Sequence, residues 1–260
     1  MHLSAARLQQ ALAGEVLSQA DLRVPRHATV DLRGRAVEEV VARGKHLLLR
    51  IAGGTTIHTH FMMDGRFDLY RPGRTLPGPH HEVRAVLATA RAVAVGRRLG
   101  ALDVIATARE HELVGHLGPD LMASDFDAAE ATARLLADPA RPVGEALLDQ
   151  RNLAGIGNVY RSELCFIAGV EPATPIGRLR DPAALVALAR RVLLANRAHA
   201  RHVTTGDLRP GRERYVYGRA GLPCLRCGDA IVRRHDGPSG RERVVYLCPS
   251  CQPFGGAGDG

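Results

Sequence analysis

The feature that most constrains this chain is Cys224-Leu-Arg-Cys227 followed by Cys248-Pro-Ser-Cys251, two Cys-x-x-Cys pairs with twenty residues between them. Each pair can turn two thiolates toward one ion at about 2.3 Å, and two such turns close a tetrahedron, the pattern of a structural zinc site. The segment between them reads as a β-hairpin. Ile231-Val232 enters a turn rich in Gly and Pro, Asp236-Gly-Pro-Ser-Gly240, and Val244-Val-Tyr-Leu247 leaves it. Two disulfides are the alternative. No basic-then-apolar leader opens the chain and no apolar run reaches membrane length, so neither export nor a membrane is expected. Structural Zn2+ on Cys224, Cys227, Cys248 and Cys251 is therefore the expectation. The hairpin becomes a platform for Arg233-Arg-His and Gly240-Arg-Glu-Arg243, a basic loop that points to a polyanion. The fifth cysteine, Cys165, lies in Glu163-Leu-Cys-Phe-Ile167 and reads as a core thiol.

Net charge of +8 and a pI near 9.8 favour the same kind of partner. Of the 35 basic side chains, all but Lys45 are Arg. A composition so rich in Arg, Ala and Gly accepts Arg at most basic positions, so the surviving Lys marks a place where a slim ammonium serves and a guanidinium does not. Chance survival is the plainer explanation.

Along the 260 residues, Leu3, Leu8 and Leu12 with Ala5 and Ala11 make an amphipathic helix that stops at Gly14 and has no N-cap residue before it. Short strands follow, at Val37–Val41, His46–Ile51, Thr56–Phe61, Arg66–Tyr70, Glu82–Thr89 and Arg91–Val95, separated by glycine turns. That spacing predicts an antiparallel sandwich or barrel. Helices then take over. Ser124-Asp-Phe-Asp127 resembles a capping box opening a helix to about Ala137, and Val143–Gln150, Val159–Ala168 and Asp181 to about Ala200 are the others. The fold class is α+β. Its expected parts are a β-sandwich domain (1–120), a helical domain (121–215), the zinc hairpin (216–253) and a disordered tail (254–260).

The turn Ala154-Gly-Ile-Gly157 ends one helix and starts another, so backbone N–H groups and the helix N-terminus can face a phosphate there, with Asn158 donating beside them. A tight interhelical connection would look the same. With its flanks, Leu148-Asp-Gln … Ala-Gly-Ile-Gly-Asn-Val-Tyr-Arg-Ser-Glu163, this block resembles the helix–two-turns–helix of the formamidopyrimidine-DNA glycosylase and endonuclease VIII family. The four-cysteine hairpin with Gln252 resembles that family's zinc finger, and Gly44-Lys45-His46 its lysine-bearing turn. His60-Phe-Met-Met-Asp-Gly65 and His116-Leu-Gly-Pro-Asp120 resemble two further blocks. The five blocks are collinear over essentially the whole chain, and the actinobacterial endonuclease VIII-like branch is the most similar.

The resemblance implies a base-excision DNA glycosylase with abasic-site lyase activity, acting by β,δ-elimination on oxidised bases, pyrimidines first, in double-stranded DNA. It implies that Lys45, Asn158 and Arg243 bind phosphates around the lesion, and that Met63 fills the vacated base stack. Read alone, Met63 could be core and Arg243 a solvated hairpin charge. A monomer working in the cytoplasm on the nucleoid is expected.

One departure stands out. Members of the family begin, once Met is removed, with Pro-Glu-Gly, whose secondary amine attacks the sugar while the glutamate moves protons. Here the sequence reads Met1-His2-Leu3-Ser4. Three readings compete. The start codon is placed too late, with Met1 standing where the family has an apolar residue; or the protein is a non-catalytic zinc-finger protein that binds damaged DNA; or the Met1 amine substitutes, with Lys45 as a slower imine former. The first is the expectation, and with it little activity for the chain as written.

Overall fold

The computed structural model describes residues 1–62, 64–75, 77–237, 240 and 242–254. It divides into two compact units, Met1–His116 and Leu117–Gly260.

The first unit opens with α1 (His2–Leu12), whose Ala5, Leu8 and Leu12 fall on one buried face. Met1 occupies the N-cap without a side-chain capping bond. Eight strands follow: β1 (Gln19–Leu22), β2 (Val37–Arg43), β3 (His46–Ile51), β4 (Thr55–His60), β5 (Arg66–Tyr70), β6 (Val83–Ala88), β7 (Val93–Arg97) and β8 (Ala101–Ala106). They form two antiparallel four-stranded sheets, ordered β1-β6-β7-β5 and β2-β3-β4-β8. One apolar cluster joins them and α1, through Leu22, Leu87 and Ala94 from one sheet and Leu47, Leu49, Ile57 and Leu102 from the other. This is a sandwich, filled by alternate residues of each strand. A short helix, α2 (Glu110–Val114), closes the unit.

The six expected strands are present with ends moved by one or two residues, whereas β1 and β8 lie beyond what apolar patterning predicts. β8 reads Ala-Leu-Asp-Val-Ile-Ala, and Asp103 breaks the apolar run that would signal a strand. β1 has only four residues, too short for a period to register.

The second unit holds α3 (Ala128–Leu135), α4 (Val143–Leu148), α5 (Asn158–Ile167) and α6 (Pro182–Ala195), then the hairpin β9 (Val232–Asp236) and β10 (Arg243–Leu247). Leu121, Leu135, Leu147, Ile156, Leu164 and Val186 form its main core. A smaller cluster of Phe166, Val216, Ile231 and Cys248 seats the hairpin on the end of α5. Asp127, rather than Ser124, caps α3, accepting from the Glu130 N–H at 2.9 Å, and this delays the helix start. Asn196 stops α6 short of residue 200, because its side-chain amide bonds both the carbonyl and the N–H of Val203. Leu117–Asp120 packs with this second unit: Gly118 N–H donates to the Gln150 carbonyl, and a side chain at 118 would collide with the backbone oxygens of Arg151 and Asn152. The expected tail lies, from Gly255 on, outside the described residues. Among the described residues no helix is long and apolar enough to cross a membrane.

Candidate functional site

The four cysteines of the two pairs converge, with all four sulfurs within 4.8 Å of one another. Cys227 and Cys248 sulfurs lie 3.4 Å apart and those of Cys224 and Cys251 3.9 Å apart, far from the roughly 2.05 Å of a disulfide. A tetrahedron with metal–sulfur bonds of about 2.3 Å has edges of about 3.8 Å, so the group can hold a metal ion. The Arg226 N–H donates to the Cys224 sulfur at 3.3 Å. Against burial, which raises it, the Cys227 and Arg226 backbone amides lower the Cys224 thiol pKa to about 7, whereas burial raises those of Cys248 and Cys251. Gln252 accepts from the Cys248 N–H at 3.0 Å and donates to the Val170 carbonyl at 2.8 Å, tying the last knuckle to the loop after α5.

The two-turn block folds around Gln150. Its amide oxygen accepts from Gly155 N–H at 3.1 Å, and its amide nitrogen donates to the carbonyls of Leu148 and Ile156, both at 2.9 Å. Gly155 at φ +113° takes a backbone conformation that side chains resist. The chain thereby turns into α5 with Asn158 as its first residue. Asn158 Nδ2 donates to the Val244 carbonyl at 2.8 Å, and Arg161 Nη2 donates to the same oxygen, also at 2.8 Å. Asn158 and Arg243 are thus brought together, since Val244 directly follows the exposed Arg243 at the start of β10. One Asn158 N–H is spent on the hairpin and a second remains on the same nitrogen.

Lys45 belongs to the first unit. Arg43 and His46 pair across β2 and β3, so Gly44-Lys45 is a two-residue turn, with Gly44 at φ +56° in the position a type II′ turn requires. Met63 lies outside the described residues.

Comparison with known proteins fits both halves of this geometry. The model of the formamidopyrimidine-DNA glycosylase N-terminal domain matches residues 2–118, and that of the formamidopyrimidine-DNA glycosylase H2TH domain matches 117–200. The chain belongs to the formamidopyrimidine-DNA glycosylase family. A Streptomyces coelicolor protein named probable endonuclease 8 2 is 55% identical over 252 residues, spanning 96% of this chain and 91% of its own. A Mycolicibacterium smegmatis protein named DNA-(apurinic or apyrimidinic site) lyase Nei2 is 49% identical, spanning 96% and 95%. The Lactococcus lactis Fpg, solved in complex with DNA containing an abasic site, superposes with a TM-score of 0.80 at 21% identity, over 96% of this chain and 97% of that one; this likeness concerns the fold.

Three features of this family member carry no plain signal in the sequence. Glu163, fully buried in α5, accepts N–H bonds from Tyr215, Val216 and Tyr217 at 2.8 to 2.9 Å and is also bonded by Thr204 Oγ1. One carboxylate so fixes the segment leading into the four-cysteine hairpin. Arg161 is 1% exposed, and burial lowers its pKa. The one hint of it is a charge on an otherwise apolar helix face. The third is a row of polar residues behind Lys45. His46 Nδ1 lies 2.8 Å from His58 Nε2, and His58 Nδ1 lies 3.3 Å from Asp103 Oδ2. The residues come from three strands, so no local pattern announces them.

Proposed function

We propose that this chain is a base-excision DNA glycosylase with abasic-site lyase activity, working on oxidised bases, pyrimidines first, in double-stranded DNA of the nucleoid. The observation that carries this reading is the bond from Asn158 Nδ2 to the carbonyl of Val244, the residue directly after the exposed Arg243. A donor at a helix start and a guanidinium on a metal-fixed hairpin are two phosphate ligands held in one setting. Lys45, on the two-residue turn between β2 and β3, is the third. Relatives at 55% and 49% identity named endonuclease 8 and abasic-site lyase give the same reaction class. The metal is zinc, which four thiolates in tetrahedral spacing select, and its part is to hold the hairpin.

These three grips serve one task. Each holds backbone phosphate near a flipped nucleotide, so that phosphate contacts offset the stacking that flipping costs. In the chemistry that follows, an amine bonds to C1′ as the damaged base leaves with a proton. Loss of a C2′ proton from the iminium expels the 3′-phosphate, and a second proton loss expels the 5′-phosphate.

Incubating the zinc-loaded protein with a duplex carrying one oxidised pyrimidine or one abasic site tests this. Cleavage that leaves phosphate on both ends of the gap is the expected result once additional upstream codons of the gene are included, weakened at least about tenfold by Arg243→Ala, with little cleavage by the chain as written. Tight binding to the abasic duplex with no cleavage would replace the reading with that of a non-catalytic zinc-finger protein of damaged DNA.

A further inference from the structure

The sheet that carries Lys45 has two buried faces of different chemistry. Leu47, Leu49, Ile57 and Leu102 face the sandwich core. On the opposite face, register aligns His46 with His60 and His58 with Asp103, so one diagonal of polar residues runs from the Lys45 turn across β3, β4 and β8. The face is covered: Leu48 is 2% and His58 4% exposed. At its far end Arg50 pairs with Glu110 and Glu39, and Thr56 also bonds Glu110. At the Lys45 end the residues are imidazoles. The His46 ring stacks on His58 with centroids 5.1 Å apart, and His60 and His116 approach it edge-on at 5.3 and 6.3 Å.

The hydrogen bonds set the tautomers. Asp103 is paired with Arg26, with His27 Nε2 at 3.9 Å, and as a carboxylate it only accepts. His58 therefore carries its proton on Nδ1, toward Asp103. Its Nε2 then accepts, and the donor is the Nδ1–H of His46. His60 Nδ1 accepts from the Met62 N–H at 3.0 Å, which puts that ring's proton on Nε2. Burial, and after it the neighbouring His58, His60, His116 and Lys45, pushes His46 down to about 4, so the ring is neutral at about pH 7. His58 is lowered as well, by burial, against the opposing pull of Asp103.

Well-packed apolar side chains in place of buried polar ones are often neutral for stability, so such a row need not be there for stability. What this chain fixes is one rotamer and one ring orientation for His46, the residue that directly follows Lys45. We propose that Asp103, His58 and His46 form a positioning chain that sets the Lys45 turn, so that the ammonium meets its phosphate preorganised. The inference rests on the reading that places Lys45 on DNA.

A double-mutant cycle in the full, zinc-loaded chain tests it, with binding to a duplex holding a tetrahydrofuran abasic analogue measured at about pH 7.5 and fixed salt. His58→Phe keeps the ring volume and cuts the chain. Lys45→Ala is expected to weaken binding about tenfold and His58→Phe about fivefold, with the double variant no weaker than Lys45→Ala alone. Multiplicative losses would overturn the positioning role, because damage to the fold acts whether or not Lys45 is present. Lys45→Ala without effect would overturn the placement of Lys45 on DNA, and this inference with it. Should His58→Phe fail to fold, imidazole nitrogen NMR of the unaltered protein decides. Protons on Nδ1 of both His46 and His58 are expected, and an Nε2–H form of either ring overturns the chain.

Discussion

Two hairpins in this molecule each present a basic residue, and they are held in opposite ways. The β2–β3 hairpin carries Lys45 and is the edge pair of a four-stranded sheet, with the sandwich core behind one face and the His46–His58–Asp103 row behind the other. The β9–β10 hairpin carries Arg243 and is a sheet of two strands. An isolated two-stranded hairpin is marginal in water. Here the cysteine cluster closes one end, and the Asn158 and Arg161 donors clamp Val244 near the other. One basic turn is built on packing and the other on a cysteine cluster that can hold a metal ion, so the two should fail under different insults.

Metal removal should separate them most sharply. Chelation, or Cys227→Ser, is expected to abolish protection of the β9–β10 amides in hydrogen exchange and to lower affinity for an abasic duplex by about a hundredfold or more. The β3 and β4 amides should stay protected. Loss of protection in both hairpins would erase the distinction. Glu163→Ala comes next. It strands three backbone N–H donors beside the hairpin's lead-in and should cost about 3 kcal/mol in chemical denaturation. A loss under about 1 kcal/mol would mean that water satisfies those donors and that Glu163 is not what seats the metal module.

Acid should act on the other hairpin through its histidines, although burial lowers the His202 pKa in the second unit as well. Lowered histidine pKa values mean that the unfolded chain takes up protons near the ordinary value of about 6.5, whereas folded His46 does so only at about 4. Stability is therefore complete above about pH 6.5 and is lost as pH falls toward about 4. His58 and His60 act in the same direction. The melting temperature should fall over this window, and His46→Phe should flatten the slope. An unchanged slope would show that the row is not neutral in the folded protein.

The smallest effect expected is electrostatic. Arg243→Ala and Lys45→Ala should each reduce the slope of log affinity against log salt by about 1, as loss of one phosphate contact does. An unchanged slope for either would remove that residue from the backbone contacts.

How much of this is legible in the chain follows from the same contrast. The four cysteines are local, with two residues between the members of each pair, so spacing alone carries them, whereas Gly155, Gly157 and Asn158 share one short turn that only the family resemblance distinguishes from a tight connection. Apolar alternation carries most strands, and capping and turn residues carry the four helices of the second unit. What stays hidden is held together by register. His46, His58 and Asp103 meet only because three strands align, and Asp103 sits in the strand that its own charge conceals. Glu163 and Arg161 look like helix-surface charges until the connector and hairpin close over them. Nor does the sequence betray that Asn158 grips the hairpin backbone with the same amide nitrogen it would offer to DNA.

The most direct test of the account is borohydride trapping on an abasic-site duplex, run with this chain and with one carrying additional upstream codons of its gene. A covalent protein–DNA adduct with the extended chain, and little with the chain as given, is the predicted result, because an amine bonded to C1′ is the intermediate the lyase reaction requires. If the chain as given traps, Lys45→Arg distinguishes a lysine imine from one at the Met1 amine. Tight binding of both chains with no adduct from either would contradict the account and leave a protein that holds damaged DNA without cutting it.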